Sequence, residues 1–287
     1  MKIMGNVGAG HCFRPHWRNI SGRHGGLPLQ FLWIVPLLFG YLHAEGNLEQ
    51  QAQAAWQERD KPGQTEQAIR NWEQTAQAEP ERADLWISLA KAMGRAVRHS
   101  KTSKERRDWA DRARAAAGKA VEKAPASSDA YAVYGEALGQ WAEAHKGVHS
   151  LKAVRQAVDA LKRAVSLDPK NAYAHMLLAS FYREAPGVIS VGDKAKALEH
   201  ARLAVEYGPE YAINHLILAR VDLDRGQKEE AIEQLQAIAA LTPPTNAVPE
   251  TLSDQETARA MLKELGAPPT AISCGQLGGY CSGQEHL

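Results

Sequence analysis

The sequence predicts an all-α, right-handed helical solenoid of about five helix pairs with a C-terminal capping helix. Three observations carry that expectation. Alanine, glutamine, leucine, lysine and glutamate dominate the middle of the chain while aromatic residues stay at 7%, the composition of helices. Prolines that stop helices recur as Pro80, Pro125, Pro169, Pro209 and Pro243, at gaps of 45, 44, 40 and 34 residues. Amphipathic stretches of helical period flank each of them.

The N-terminal element reads as a targeting segment, residues 1–44. Leu27 to Leu42 is apolar, follows a stretch bearing arginine and histidine, and ends at His43-Ala44-Glu45. This is the tripartite layout of a secretory signal, with cleavage expected near Ala44. A spanning helix needs roughly 20 apolar residues, and Pro28 and Pro36 weaken this run further as a permanent anchor. Retention in the inner membrane is the alternative, and it is the one route by which the chain would touch a membrane. Export to the periplasm is the expected localisation.

Each repeat has two halves. Before the prolines stand Ala68 and Trp72, Ala113 and Ala120, Ala157, Leu161 and Ala164, Ala197 and Ala204, and Ala231 and Leu235. These read as second helices that end at their proline. After the prolines come Trp86-Leu89-Ala90, Tyr131-Tyr134-Gly135, His175-Leu178-Ala179-Tyr182 and His215-Leu218-Ala219. This resembles the tetratricopeptide repeat: small residues where two backbones approach, large ones filling the gaps between units. His175 and His215 hold equivalent bulky positions and are expected to pack, with one ring nitrogen hydrogen-bonded.

The unit Ala212 to Thr245 has the standard period of 34 residues, turning at Asp224-Arg225-Gly226-Gln227. Earlier units are longer. Eleven extra residues make roughly three helical turns, which preserves the buried face. The helices flanking Arg98-His99-Ser100 and Gly147 to Ser150 are therefore predicted to be lengthened. Arg183 to Asp193 contains proline and glycine and is expected to be a shaped loop. Ser253 to Gly266 reads as the capping helix, with a serine or aspartate cap at its start, so the solenoid spans 45–266. The tail, 267–287, is glycine-rich and carries Cys274 and Cys281. A disulfide between them suits an oxidising compartment; a two-cysteine metal site is the alternative, disfavoured because no histidine pair stands at finger spacing.

Residues 84–265 also resemble a narrower group within the repeat family, shared by T components of bacterial TRAP transporters and regulators of microtubule dynamics. The resemblance lies in Tyr131 to Gly135, Trp141 to His145, Ala174 to Ala179 and the Pro186-Gly187 to Gly192-Asp193 loop before Ala195 to Leu198. The T components imply a periplasmic helical protein that associates with a substrate-binding protein and forms a pore-containing oligomer. This chain departs from them: Cys12 follows no apolar stretch, so it lacks their lipid-acceptor cysteine.

Candidate binding residues follow from the expected stack, whose concave face is lined by the first helix of each pair. Helical spacing directs Lys91, Arg95, Glu136, Gln140, Ser180, Arg183, Arg220 and Asp224 to that face, with Tyr173 and Met176 as apolar neighbours. Mixed charge suits a polar partner. The formal charge of +1 becomes −3 once Lys2, Arg14, Arg18 and Arg23 are set aside, which leaves no basic stripe for nucleic acid. No nucleophile elbow or phosphate loop is present, and the carboxylates fall beside lysine and arginine, so neither an enzyme nor a cofactor is expected. His145 and His149 stand four apart, but Gly147 intervenes and no metal is expected there. The expected function is an exported adaptor holding a protein partner on its concave face; the alternative is a transporter accessory binding or passing a small ligand.

Overall fold

In a computed structural model, the described residues are 48–185 and 191–269, and all of them fall in one compact unit, 44–287. Helix α1 covers 48–57. It is followed by α2 (Gln64–Ala78), α3 (Ala83–His99), α4 (Ser103–Lys123), α5 (Ser128–His145) and α6 (Val148–Leu167). Then come α7 (Ala172–Glu184), α8 (Lys194–Tyr207), α9 (Ala212–Asp224), α10 (Lys228–Ala240) and α11 (Val248–Glu264). These eleven helices make an all-α solenoid, and no strand occurs among the described residues. The signal segment, the Cys274–Cys281 pair and residues 186–190 of the expected loop lie outside the described residues.

The lengthened middle is present. Helices α3 to α6 have 17, 21, 18 and 20 residues, against 13 or 14 in α7 to α10. The prolines act as expected: Pro80, Pro125, Pro169 and Pro209 each directly follow the C-terminal cap of an even-numbered helix. Side chains then start the next helices, with Ser127 capping α5 and Asn171 capping α7. The capping helix corrects the reading that started it at Ser253. It begins at Val248, with Pro249 in its first turn and no side-chain cap. Proline is favoured there because the amide it lacks would have no partner inside the helix.

Small residues set the spacing of the stack. Ala113, Ala117, Ala120, Ala157, Ala164, Ala197, Ala201, Ala204 and Ala231 are fully buried, so each even-numbered helix lies close against its neighbours. The ring after each proline serves a second purpose. Trp86 Nε1 donates to the Pro80 carbonyl at 2.9 Å, His175 Nε2 to Pro169 at 3.0 Å and His215 Nε2 to Pro209 at 2.9 Å. One device, a ring N–H six residues after the proline, thus satisfies a carbonyl that the missing helical turn leaves open. Donation from Nε2 leaves His175 Nδ1 as an acceptor for His200 Nδ1, 2.8 Å away. Both histidines are packing residues, as the sequence suggests.

Odd-numbered helices also touch one another in succession, α3 with α5, α5 with α7, α7 with α9 and α9 with α11. Even-numbered helices sit between them on the outside. Elements on the inner side of a bend approach most closely, so the odd helices form the concave layer.

Candidate functional site

The concave layer is closed end to end by one carboxylate. Arg59, in the turn after α1, donates from Nε to Glu250 Oε1 at 2.8 Å and from Nη2 to Glu250 Oε2. Its remaining donors reach the carbonyls of Trp56 and Asn246, both at 2.8 Å, and its guanidinium lies over the Trp56 ring. Arg95 of α3 binds the same carboxylate, Nη1 to Oε1, at 2.9 Å. The side chain of Arg59 is 2% exposed and that of Glu250 35%, so a buried guanidinium meets a half-buried carboxylate in a bidentate pair across 191 residues of sequence. Burial would raise the Glu250 carboxyl, but the Arg59 hydrogen bonds and charge outweigh it and hold it below its ordinary range.

Further along the same face Glu136 of α5 is a hub. Arg98 Nη1 reaches its Oε1 at 2.6 Å, Gln140 Nε2 donates to the same oxygen at 3.0 Å, and the Tyr173 hydroxyl donates to Oε2. Lys91 stands over the Tyr173 ring at 5.9 Å. Arg183 of α7 pairs with Asp224 of α9 at 2.6 Å. Lys91, Arg95 and Arg98 follow spacings of four and three, which keeps them on one stripe of α3.

A recess of about 470 Å³ opens beside this hub between α5, α6 and α7. Gly139, Ala142, Val154, Leu177 and Phe181 form its apolar lining, with Arg98, Glu136, Gln140 and Ser180 towards the concave face. Gly139 makes room for the wall: a Cβ there would stand 2.5 Å from Phe181 Cζ. Ser150 Oγ, which also lines the recess, is buried and has no hydrogen-bond partner among the described residues.

At the far end Asp254 of α11, one turn after Glu250, is pushed up to about 6, by burial first and then by Glu250, against the pull of Arg220. A carboxyl raised in the folded state adds stability at pH values below its unfolded pKa near 4. That contribution is lost as pH rises through about 6. Asp254→Asn should remove this slope, so its urea midpoint gains on the parent's between pH 4 and 7.

Of the ten residues assigned to the concave face, Lys91, Arg95, Glu136, Gln140, Tyr173, Arg183 and Asp224 join these networks. Ser180 hydrogen-bonds the Met176 carbonyl at 3.2 Å and lines the recess, and Arg220 faces Asp254. Met176 is a correction: at 7% exposure it belongs to the core with Leu178 and Ala179, because its position in the helix turns it towards the neighbouring pair. Sequence reasoning missed Arg59, Arg98, Glu250, Asp254 and the recess. His145 stacks on Trp141 at 4.3 Å and points Nε2 at Asp111, 3.4 Å away. Among the described residues no group of three His, Cys, Asp or Glu could hold a metal.

A family model described as regulator of microtubule dynamics protein 1-3 matches residues 48–187. No curated protein matches the chain in sequence. Among solved structures it is similar to TTC0263, a thermophilic TPR protein of Thermus thermophilus, with 17% identity over 76% of this chain and 99% of that one and a TM-score of 0.58. Yeast Tom70 gives 15% identity, 84% and 45% coverage and a TM-score of 0.47. MamA 41-end from Desulfovibrio magneticus RS-1 gives 17%, 73% and 96%, and 0.42. Eleven helices stacked as five pairs and a cap, with the likeness to TTC0263, give the chain the fold of the tetratricopeptide-repeat proteins.

Proposed function

We propose that this chain is an exported protein-interaction scaffold that holds a segment of a partner along the concave layer of α3, α5, α7 and α9. The observation that carries the reading is the concave face itself: three polar clusters on successive odd-numbered helices, Arg95 with Glu250, Glu136 with Arg98 and Tyr173, and Arg183 with Asp224, adjoining an apolar recess. Such a surface offers orientation by charge and anchorage by burial, the two parts of a protein interface. Export is supported by the tripartite N-terminal pattern of the sequence. No helix among the described residues is long and apolar enough to cross a membrane.

Charge reversal of Lys91 and Arg220 tests the reading. Neither makes an ion pair within 4 Å among the described residues; reversing Arg220 turns its longer-range attraction for Asp254 into repulsion, a smaller cost than reversing Arg183, which would break the direct 2.6 Å pair with Asp224. Lys91→Glu with Arg220→Glu should abolish cross-linking of the chain to its cellular partners while the circular dichroism of the purified protein stays helical. Unchanged adducts would remove the concave face from consideration. A second reading, a transporter accessory that binds a small ligand, is favoured by the recess alone. Its volume lies within the range of small-molecule sites.

A further inference from the structure

The recess between α5, α6 and α7 has features that the polar clusters do not use. Leu151, 38% exposed, stands at its rim and extends the apolar lining to the surface. A single exposed leucine is ordinary; one that continues an apolar hollow makes a patch. Two rim carboxylates face the same opening. Glu143 makes no ion pair among the described residues, and Glu184 meets Arg183 only at 3.4 Å, that arginine being held by Asp224 at 2.6 Å. Glu143 is exposed, yet protein replaces part of its water at the mouth, and this desolvation, with the field of Glu184, pushes its carboxyl up against the weaker pull of Arg106. An arriving cation would relieve both effects. Arg98, the cation on the inner wall, is already committed to Glu136.

We infer that this recess is a specificity pocket for a partner segment in which a bulky apolar side chain stands next to a lysine or arginine, the apolar group packing against Leu177 and Phe181 and the cation meeting Glu143 and Glu184. The inference rests on the scaffold reading and adds the chemistry of the captured segment. Acidic segments are repelled at the rim, and purely polar ones leave the lining empty. A volume of about 470 Å³ accommodates side chains without requiring the helices to part.

Three fluorescein-labelled peptides in identical Gly-Ser flanks test it against the full chain: one bearing Leu-Arg-Leu-Lys, one Leu-Glu-Leu-Glu and one Gly-Arg-Gly-Lys. The first should bind at least about tenfold more tightly than either of the others, as expected when burial and charge both contribute. Glu143→Gln with Glu184→Gln should weaken it by a similar factor. Val154→Trp, which fills the hollow, and Leu151→Glu, on an exposed position that the fold does not need, should do the same. Equal affinity for all three peptides, or binding indifferent to these variants, overturns the inference. So does saturable binding of octylamine with no binding of any peptide, which marks a small-ligand site. The scaffold reading fails separately, through the Lys91 and Arg220 reversal: if that variant loses its cellular adducts while the peptides fail to discriminate, the pocket inference falls and the scaffold stands.

Discussion

Glu250→Ala should destabilise the chain by about 3 kcal/mol, because it leaves Arg59 buried and without its counter-charge. The loss lies at the low end for a broken buried pair since Glu250 itself is 35% exposed and water can reach part of the site. The distribution of the loss matters more than its size. A solenoid is ordinarily a line of nearest neighbours, so its ends fray independently of one another. Here α1 and α11 are tied together by Glu250 and by the Asn246 carbonyl, and α3 joins through Arg95. Hydrogen exchange should therefore accelerate in 48–60 and in 246–264 together in the variant, while α5 to α8 keep their protection. Acceleration confined to α11 would show that the contact is incidental. Acid should act in the same way. The Glu250 carboxyl is held below its ordinary value of 4.5, so its contribution is present above that pH and is lost as pH falls through the lower, folded value.

That closure shows where sequence reading stops. The pairs were legible because their signals are local: an alanine every turn, a proline after every second helix, a ring six residues beyond it. Lys91, Arg95 and Glu136 were legible for the same reason, since helical spacing alone fixes which way they point. Arg59 and Glu250 share no pattern with each other. Only the accumulated curvature of five pairs brings them together, and curvature is a sum of small interhelical rotations that no single repeat encodes. The recess was hidden for a related reason, as it exists where Gly139 lets Phe181 lean in, a property of two helices rather than of either. Two local signals point further than the reading took them: Arg98, three residues after Arg95 on the same stripe of α3, and Pro249. Ser253 to Glu256 carries the residue types of a helix start, but lies inside a helix whose first turn the proline had already begun.

Gly135 and Gly118 supply the second large expected effect, as one substitution with opposite signs. Alanine in place of glycine inside a helix ordinarily gains up to about 1 kcal/mol in propensity. At Gly118 a Cβ would meet nothing closer than Tyr134 Cε2 at 3.9 Å, an ordinary contact, so Gly118→Ala should stabilise by about that amount. At Gly135 a Cβ would stand 2.6 Å from Leu161 Cγ, 2.8 Å from Leu161 Cδ2 and 3.1 Å from the Ala157 carbonyl oxygen. Leu161 is fully buried and meets the new atom through its branch point rather than a mobile tip, and the carbonyl belongs to the α6 backbone. Neither can yield without parting α5 from α6, so overpacking of roughly 1–3 kcal/mol should outweigh the propensity gain. Urea denaturation of the two variants separates the terms: Gly135→Ala should move the midpoint down and Gly118→Ala up. If both rise, α5 and α6 are not in the close contact that defines the second stacked pair of the long middle, and the packing assigned to Tyr131, Tyr134 and Gly135 is wrong.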